Sequence, residues 1–214
     1  MNTAKYVIET EGDLKLVSFD QFKALHRSEY DLKKLTFNGL VCKISSVEIT
    51  DDGVKILFEE DFPQMEIFIK FDGSGYRVSR TGRKNCFNCI RGEGHKRIQI
   101  QRRPINIERL IAISYDIAMN TLANSYDSLV ANVMDGSGNM NTASDLGVNP
   151  DYHFENLEWC TSDENKIHGG WIKKLHALTG HVYRFSYENC KTILFKKQDG
   201  TLKTWCAGNL HQVR

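Results

Sequence analysis

The tightest constraint on this chain is a helix start written out in full, Thr161-Ser162-Asp163-Glu164. A hydroxyl residue followed three positions later by glutamate is a capping box. The threonine oxygen accepts from the Glu164 backbone N–H, and the Glu164 carboxylate reaches back to the N–H of Thr161. The sequence therefore predicts a helix from Ser162 onward. Asn165 and His168 then share one face of it, three residues apart. His168 has two readings: a working group on that face, or a side chain near Gly169-Gly170 that favours the helix C-terminal end. Trp159, just before the cap, reads as a core residue under the helix. Trp171 to Leu178 either extends that helix or restarts it.

A chain of 214 residues with 41% apolar and 10% aromatic content can bury a proper core in one or two domains. It holds no run of about eighteen apolar residues, and MNTAKYVIETEGDL places acids where a signal peptide has its apolar segment. A soluble cytoplasmic protein with no membrane partner is expected. The six cysteines, Cys42, Cys86, Cys89, Cys160, Cys190 and Cys206, lack the density of a disulfide scaffold and should be reduced.

The net charge of +1 conceals a strong segregation. Residues 71–110 carry 10 Lys/Arg against 3 Asp/Glu, and 171–214 carry 8 against 2. Between them, 111–170 carry 1 against 9, while 1–70 carry 9 against 13. Two basic blocks around an acidic one either mark a polyanion-binding surface or are merely solvated faces.

In chain order, Lys5–Glu9 and Leu14–Ser18 read as strands joined at Glu11-Gly12-Asp13. Asp20–Lys34 reads as a helix that Asp20 can cap. Leu40–Thr50, Val54–Glu59 and Met65–Phe71 read as strands, the first two turned at Asp51-Asp52-Gly53. Alternation in Lys96-Arg97-Ile98-Gln99-Ile100-Gln101 sends Arg97, Gln99 and Gln101 to one face and the isoleucines to the core. Such a row can neutralise phosphates and address base edges, and a β-ribbon can enter a DNA groove or cover an RNA ridge. The candidate nucleic-acid contacts are Arg77, Arg80, Arg83, Lys84, Arg91, Lys96, Arg97, Gln99, Gln101, Arg102 and Arg103, with Lys173, Lys174, Lys196 and Lys197 in the second block.

Cys86-Phe87-Asn88-Cys89 has no second pair at ligand spacing, so zinc, even with His95 nearby, competes with two ordinary cysteines in a turn. Asn106 to about Asn124 reads as the longest helix, with Ile107, Leu110, Ile111, Ile117 and Ala118 as its buried stripe and nothing catalytic on it. In the tail, Val182–Tyr187, Thr192–Lys197 and Thr201–Cys206 read as strands, the last two joined at Gln198-Asp199-Gly200. Tyr183, Phe185, Tyr187, Phe195 and Trp205 either stack on bases or fill a small core.

Two groups of residues carry a family resemblance. Phe154-Glu155-Asn156-Leu157-Glu158-Trp159-Cys160-Thr161, followed by Asn165 and His168, resembles the close of an HNH (ββα-metal) nuclease module, and Ala131-Asn132-Val133-Met134-Asp135-Gly136 resembles its opening. Tyr76-Arg77-Val78-Ser79-Arg80-Thr81-Gly82-Arg83 is similar to the segment that precedes this core in phage and intron homing endonucleases. The resemblance covers about residues 73–169. It implies an α+β chain: an HNH-like module over 72–170, between a small N-terminal α+β unit (1–71) and a C-terminal basic β-rich segment (171–214). It also implies a hairpin with arms Ser128–Val133 and Asn156–Thr161, with Asn156 bracing the loop. Asn165 and His168 stand at positions of helix metal ligands, and Asn132 at a hairpin ligand that is often Asp.

The family's catalytic histidine is Val133 here, which cannot accept a proton. Losing a general base costs about 10²–10⁴ in rate, and a neutral Asn132 weakens a hard cation. The loop 136–155, with Asp145 and Asp151, is longer than the family's turn and would obstruct or repel a phosphate. The resemblance thus implies an inactive nuclease scaffold that binds DNA or a structured RNA, ribosomal RNA among them, with no cofactor. The alternatives are a working nickase using Mg²⁺ or another divalent metal and a substitute base, for which His153 is the candidate, and a phage regulator that docks on a host protein.

Overall fold

The computed structural model describes residues 6–10, 13–17, 21, 36–88, 94–101, 103–122, 126–187, 194–198, 201–205 and 211–212. The expected helix Asp20–Lys34 lies outside them apart from Gln21, as do Cys89, Arg91 and Arg102.

The chain is α+β, and among the described residues the strand pairing is antiparallel. Strands β1 (Tyr6–Thr10) and β2 (Asp13–Val17) form a hairpin. Phe37–Val41 is a short helix, α1, whose last two residues fall where the sequence read a strand from Leu40. Thr36 caps it by accepting from Gly39 N (2.9 Å), so the backbone turns before the true strand begins at Ile44. Five strands then meander in order: β3 (Ile44–Ile49), β4 (Gly53–Phe58), β5 (Gln64–Lys70), β6 (Ser74–Ser79) and β7 (Lys84–Asn88). Asp51-Asp52-Gly53 makes the expected turn, with Thr50 N donating to Gly53 O (2.9 Å). Period-two alternation buries Val54, Ile56 and Phe58 on β4 and Ile67 and Ile69 on β5.

A two-stranded ribbon, β8 (Arg97–Ile100) and β9 (Arg103–Asn106), leads into helix α2 (Ile107–Met119). This helix is shorter than expected because Asn120, at φ 58°, closes it in the left-handed region. Ile107, Leu110, Ile111 and Ile113 are fully buried, whereas Ala118 is exposed. Strands β10 (Leu129–Val133) and β11 (Leu157–Thr161) pair as a hairpin, and helix α4 (Ser162–Thr179) follows directly. The long connection contains a helix of its own, α3 (Met140–Leu146), capped by the Asn139 side chain, and one 3-10 turn at Phe154–Asn156. Helix α2 covers one side of the hairpin and α4 packs on both its strands.

The capping box is present at both ends: Glu164 N donates to Thr161 Oγ1 (3.3 Å) and Thr161 N to Glu164 Oε2 (2.9 Å). Helix α4 runs unbroken through Gly169-Gly170 to Thr179, so Trp171–Leu178 extends it. Beyond it, β12 (Tyr183–Arg184) pairs with β15 (His211–Gln212), and β13 (Leu194–Gln198) with β14 (Thr201–Trp205). Lys196 and Lys197 lie on β13.

The main core joins the five-stranded sheet, α1, α2 and the β10–β11 hairpin, and a second cluster of Leu146, Ile172, Leu175, Val182 and Phe185 glues α3 and α4 to the tail. The expected boundary at 71/72 falls within the paired β5–β6 meander, and that at 170/171 within α4. Among the described residues no helix is long and apolar enough to cross a membrane.

Candidate functional site

Asn132 and Val133 end the first arm of the hairpin, while Asn165 and His168 sit in the first turns of α4. Because the capping box starts the helix at the very end of β11, these four residues converge on one cavity of about 160 Å³ at the seam between hairpin and helix. Gly136, Gly138, Asn139 and Thr142 of the connection line it as well, and so does His95.

The residues differ in how far they are already engaged. Asn132 is buried and donates its Nδ2 to Glu158 Oε1 (2.6 Å), a carboxylate that also accepts from Tyr187 N (2.6 Å). His168 is 1% exposed, and its Nε2–H donates to the Phe185 carbonyl at 2.6 Å. Burial drives its pKa down to about 4, so the ring is neutral and ties α4 to the tail. Among the described residues the Asn165 side chain makes no hydrogen bond. Asn156 lies outside the cavity and braces the connection as expected, its Nδ2 donating to Asp151 O (2.8 Å).

Val133 is 5% exposed and packs in the main core. A Cβ placed on Gly138 would stand 2.3 Å from Val133 Cγ2, so only glycine lets the connection close over the valine. Gly138→Ala is expected to cost about 1–3 kcal/mol through overpacking. Urea unfolding checks this, and an unchanged midpoint would show that the connection moves aside freely.

His153, the substitute base considered above, does not line the cavity. Its ring lies between Phe71 (4.6 Å) and Phe154 (4.1 Å), and its Nδ1 accepts from Glu155 N at the start of the 3-10 turn. The imidazole that does reach the cavity besides His168 is His95. It lies one residue before the alternating row and is bridged to Asn139 by backbone pairing. Its Nδ1 is 2.6 Å from Oε1 of Glu108, as an ion pair rather than an aligned hydrogen bond. Glu108 is 1% exposed on α2 and also accepts from Asn106 Nδ2 (3.0 Å), while its Oε2 has no partner. The close carboxylate raises the His95 pKa against the opposing pull of burial.

Sequence reasoning passed over this pair, although one signal was present. Glu108 falls on the buried stripe of α2, one turn before Ile111 and Ala112, where a carboxylate requires a cation.

The cationic surface is narrower than the sequence list. Strand β8 alternates as expected, with Arg97 and Gln99 exposed and Ile98 and Ile100 buried. Arg77 joins this row by donating from Nη1 to Gln99 O (2.6 Å), and Arg97 Nε donates to Asn106 Oδ1 (3.0 Å). Gln101 leaves the row: at φ 51° it turns the ribbon. Arg103 is half-buried on β9. Arg83 and Lys84 are exposed, the latter over the Tyr76 ring (3.7 Å). Lys173 and Lys174 are exposed on α4.

Two of the expected contacts are engaged within the fold, Lys96 buried and Arg80 still exposed. Lys96 is 4% exposed and donates to Asp72 O (2.7 Å). Arg80 clamps the β4–β5 connection through the carbonyls of Phe62 (3.0 Å), Phe58 (2.8 Å) and Glu59. Cys86 is exposed and unpaired on β7.

A divalent cation does not fit the cavity. None of its lining residues is a carboxylate, one of its two imidazoles is held by a carbonyl, and hard cations take oxygen ligands with carboxylates among them. Among the described residues no group of three or more His, Cys, Asp or Glu is placed to hold a metal. No family model, no curated protein and no solved structure matches this chain.

Proposed function

We propose that this is a nucleic-acid-binding protein built on an HNH-like ββα module that does not cleave, and that its ligand is duplex DNA or a structured RNA such as ribosomal RNA. The observation that carries this reading is the continuity of one surface. His95, Arg97 and Gln99 follow at two-residue spacing along one edge of the ribbon, Arg77 joins them, and the row ends at the cavity. An extended strand repeats its facing side chains about every 6.6 Å. The row is thus a short ladder of phosphate and base-edge donors leading to a hollow that also presents donors. The seam between hairpin and helix supports the HNH-like reading, since it gathers Asn132, Val133, Asn165 and His168. The non-cleaving part rests on Val133 packed against Gly138, where no proton acceptor stands, and on a donor set unsuited to Mg²⁺.

The test is binding of labelled duplex DNA and of structured RNA across a salt series, with Mg²⁺ present and with EDTA. Affinity should fall linearly on a log–log plot against salt, and Arg97→Ala should lower that slope by about 1. Mg²⁺-dependent nicking that disappears in Asn165→Ala would establish the nickase instead. Absence of affinity for any nucleic acid at low salt would leave a regulator that docks on a host protein.

A further inference from the structure

We propose that the cavity at the hairpin–helix seam is a phosphate site that works without a metal, in which His95, backed by the buried Glu108 carboxylate, supplies the positive charge. This deepens the nucleic-acid reading by naming the group the cavity would take, the phosphate of a phosphodiester.

The lining favours an anion. Beside His95 stand the carboxamides of Asn139 and Asn165 and the hydroxyl of Thr142. Asn139 uses its Oδ1 to cap α3, accepting from Asn141 N (3.0 Å) and Thr142 N (3.3 Å). Among the described residues its Nδ2, the Asn165 carboxamide and the Thr142 hydroxyl make no hydrogen bond. Three neutral donors and one cationic ring around one hollow suit a tetrahedral oxyanion. About 160 Å³ is well above the roughly 10–15 Å³ that admits one water.

The charge on His95 follows from its neighbour. Glu108 is 1% exposed, its Oε2 has no partner, and beyond Asn106 Nδ2 its Oε1 faces His95 Nδ1 at 2.6 Å, so protonating that ring offsets the cost of burying the carboxylate. The Nδ1 edge of the ring is buried against Glu108 while the side chain as a whole is 30% exposed, so exposure lies on the remaining edge. His95 lines the cavity, and with Nδ1 set against Glu108 its Nε2–H is the donor left for a ligand there. A cation site would show the reverse: carboxylates in the lining and imidazoles with open lone pairs. Where the HNH resemblance implies a metal between enzyme and phosphate, this chain places a ring cation fixed from behind by α2.

The experiment uses the full chain and two probes, inorganic phosphate and a labelled nucleic acid, each with EDTA and with Mg²⁺. Side-chain NMR of the histidines should show the His95 ring shifting as phosphate is added and holding still with chloride at equal ionic strength. His95→Gln keeps a donor toward Glu108 but not the charge. It should remove the phosphate response and weaken nucleic-acid binding about tenfold, the size of one charge-assisted hydrogen bond, equally with EDTA and with Mg²⁺. Asn165→Ala, at a half-buried lining position, should weaken the phosphate response, whereas Lys166→Ala on the exposed face of α4 should not.

If His95→Gln fails to fold, Asn165→Ala still decides. A phosphate response that requires Mg²⁺, or one indifferent to both variants, overturns the site. Nucleic-acid binding that ignores His95 overturns the site and leaves the broader reading standing. A phosphate response without nucleic-acid binding does the opposite.

Discussion

Trp159→Ala should destabilise the protein by about 3–5 kcal/mol, because the indole is the joint between the hairpin and the rest of the core. Its ring lies 4.8 Å from that of Tyr126 and 6.3 Å from that of Phe37, both nearly inaccessible. Its Nε1 donates to Asp116 Oδ2 at 2.7 Å, and the Tyr126 hydroxyl donates to the same oxygen, also at 2.7 Å. Burial raises the Asp116 pKa, and the donors Tyr126, Trp159 and Thr121 only partly offset it. Alanine would therefore open a void and also strip a half-buried carboxylate of one of its partners. Trp159→Phe fills the void and isolates the second effect, for which about 1–2 kcal/mol is expected. Urea unfolding of the three proteins measures both. A loss under about 1 kcal/mol for the alanine variant would mean that the indole is only a rim contact. The same joint bears on the cavity, since β11 fixes where α4 starts and α4 carries Asn165 and His168.

What could be read beforehand followed from local rules, and what could not followed from tertiary ones. The capping box, the turn at Asp51-Asp52-Gly53 and the alternation of Arg97-Ile98-Gln99-Ile100 all act within a few residues and appear as expected. Trp159, read as a core residue under the helix, is half-buried against the main core, and its partners Phe37, Asp116 and Tyr126 belong to elements other than α4. The last two residues of α1, Leu40 and Val41, read as the start of a strand, whereas the Thr36 cap holds them in the helix and the strand begins at Ile44. The connection from Gly136 to Glu155 read as an obstructing loop, yet it folds into α3 and lends Asn139 and Thr142 to the cavity.

Long-range pairing decided the basic list as well. Lys96 and Arg80 look like any surface cations until Asp72 and Phe62 supply the carbonyls that hold them. His95 and Glu108 are thirteen positions apart, and the β8–β9 pairing between them brings them together.

The two imidazoles of the cavity titrate in opposite senses, and that predicts the pH dependence of stability. His168 is neutral in the fold, with its pKa near 4 against an ordinary 6.5, because burial outweighs its backbone contacts with Phe185 and Met134. Above pH 6.5 neither folded nor unfolded chain protonates it, and nothing is lost. As pH falls from 6.5 toward 4 the unfolded chain binds a proton that the native state refuses, so stability drops by roughly 3 kcal/mol, of which roughly 2 are gone by pH 5. Below pH 4 the native ring protonates too, and this loss levels off. His95 runs the other way: its pKa is raised by Glu108, so its contribution is complete below the unfolded value and is lost as pH climbs through the folded one. Stability should therefore peak between the ordinary histidine pKa and the raised value of His95. Urea unfolding at pH 5 and pH 7 should show the acid loss in the wild type and a much smaller one in His168→Gln, which keeps a donor for Phe185 but cannot titrate. An equal acid loss in that variant would place the sensitivity elsewhere. The consequence reaches the cavity, since acidification charges both rings and works against the one that joins α4 to Phe185.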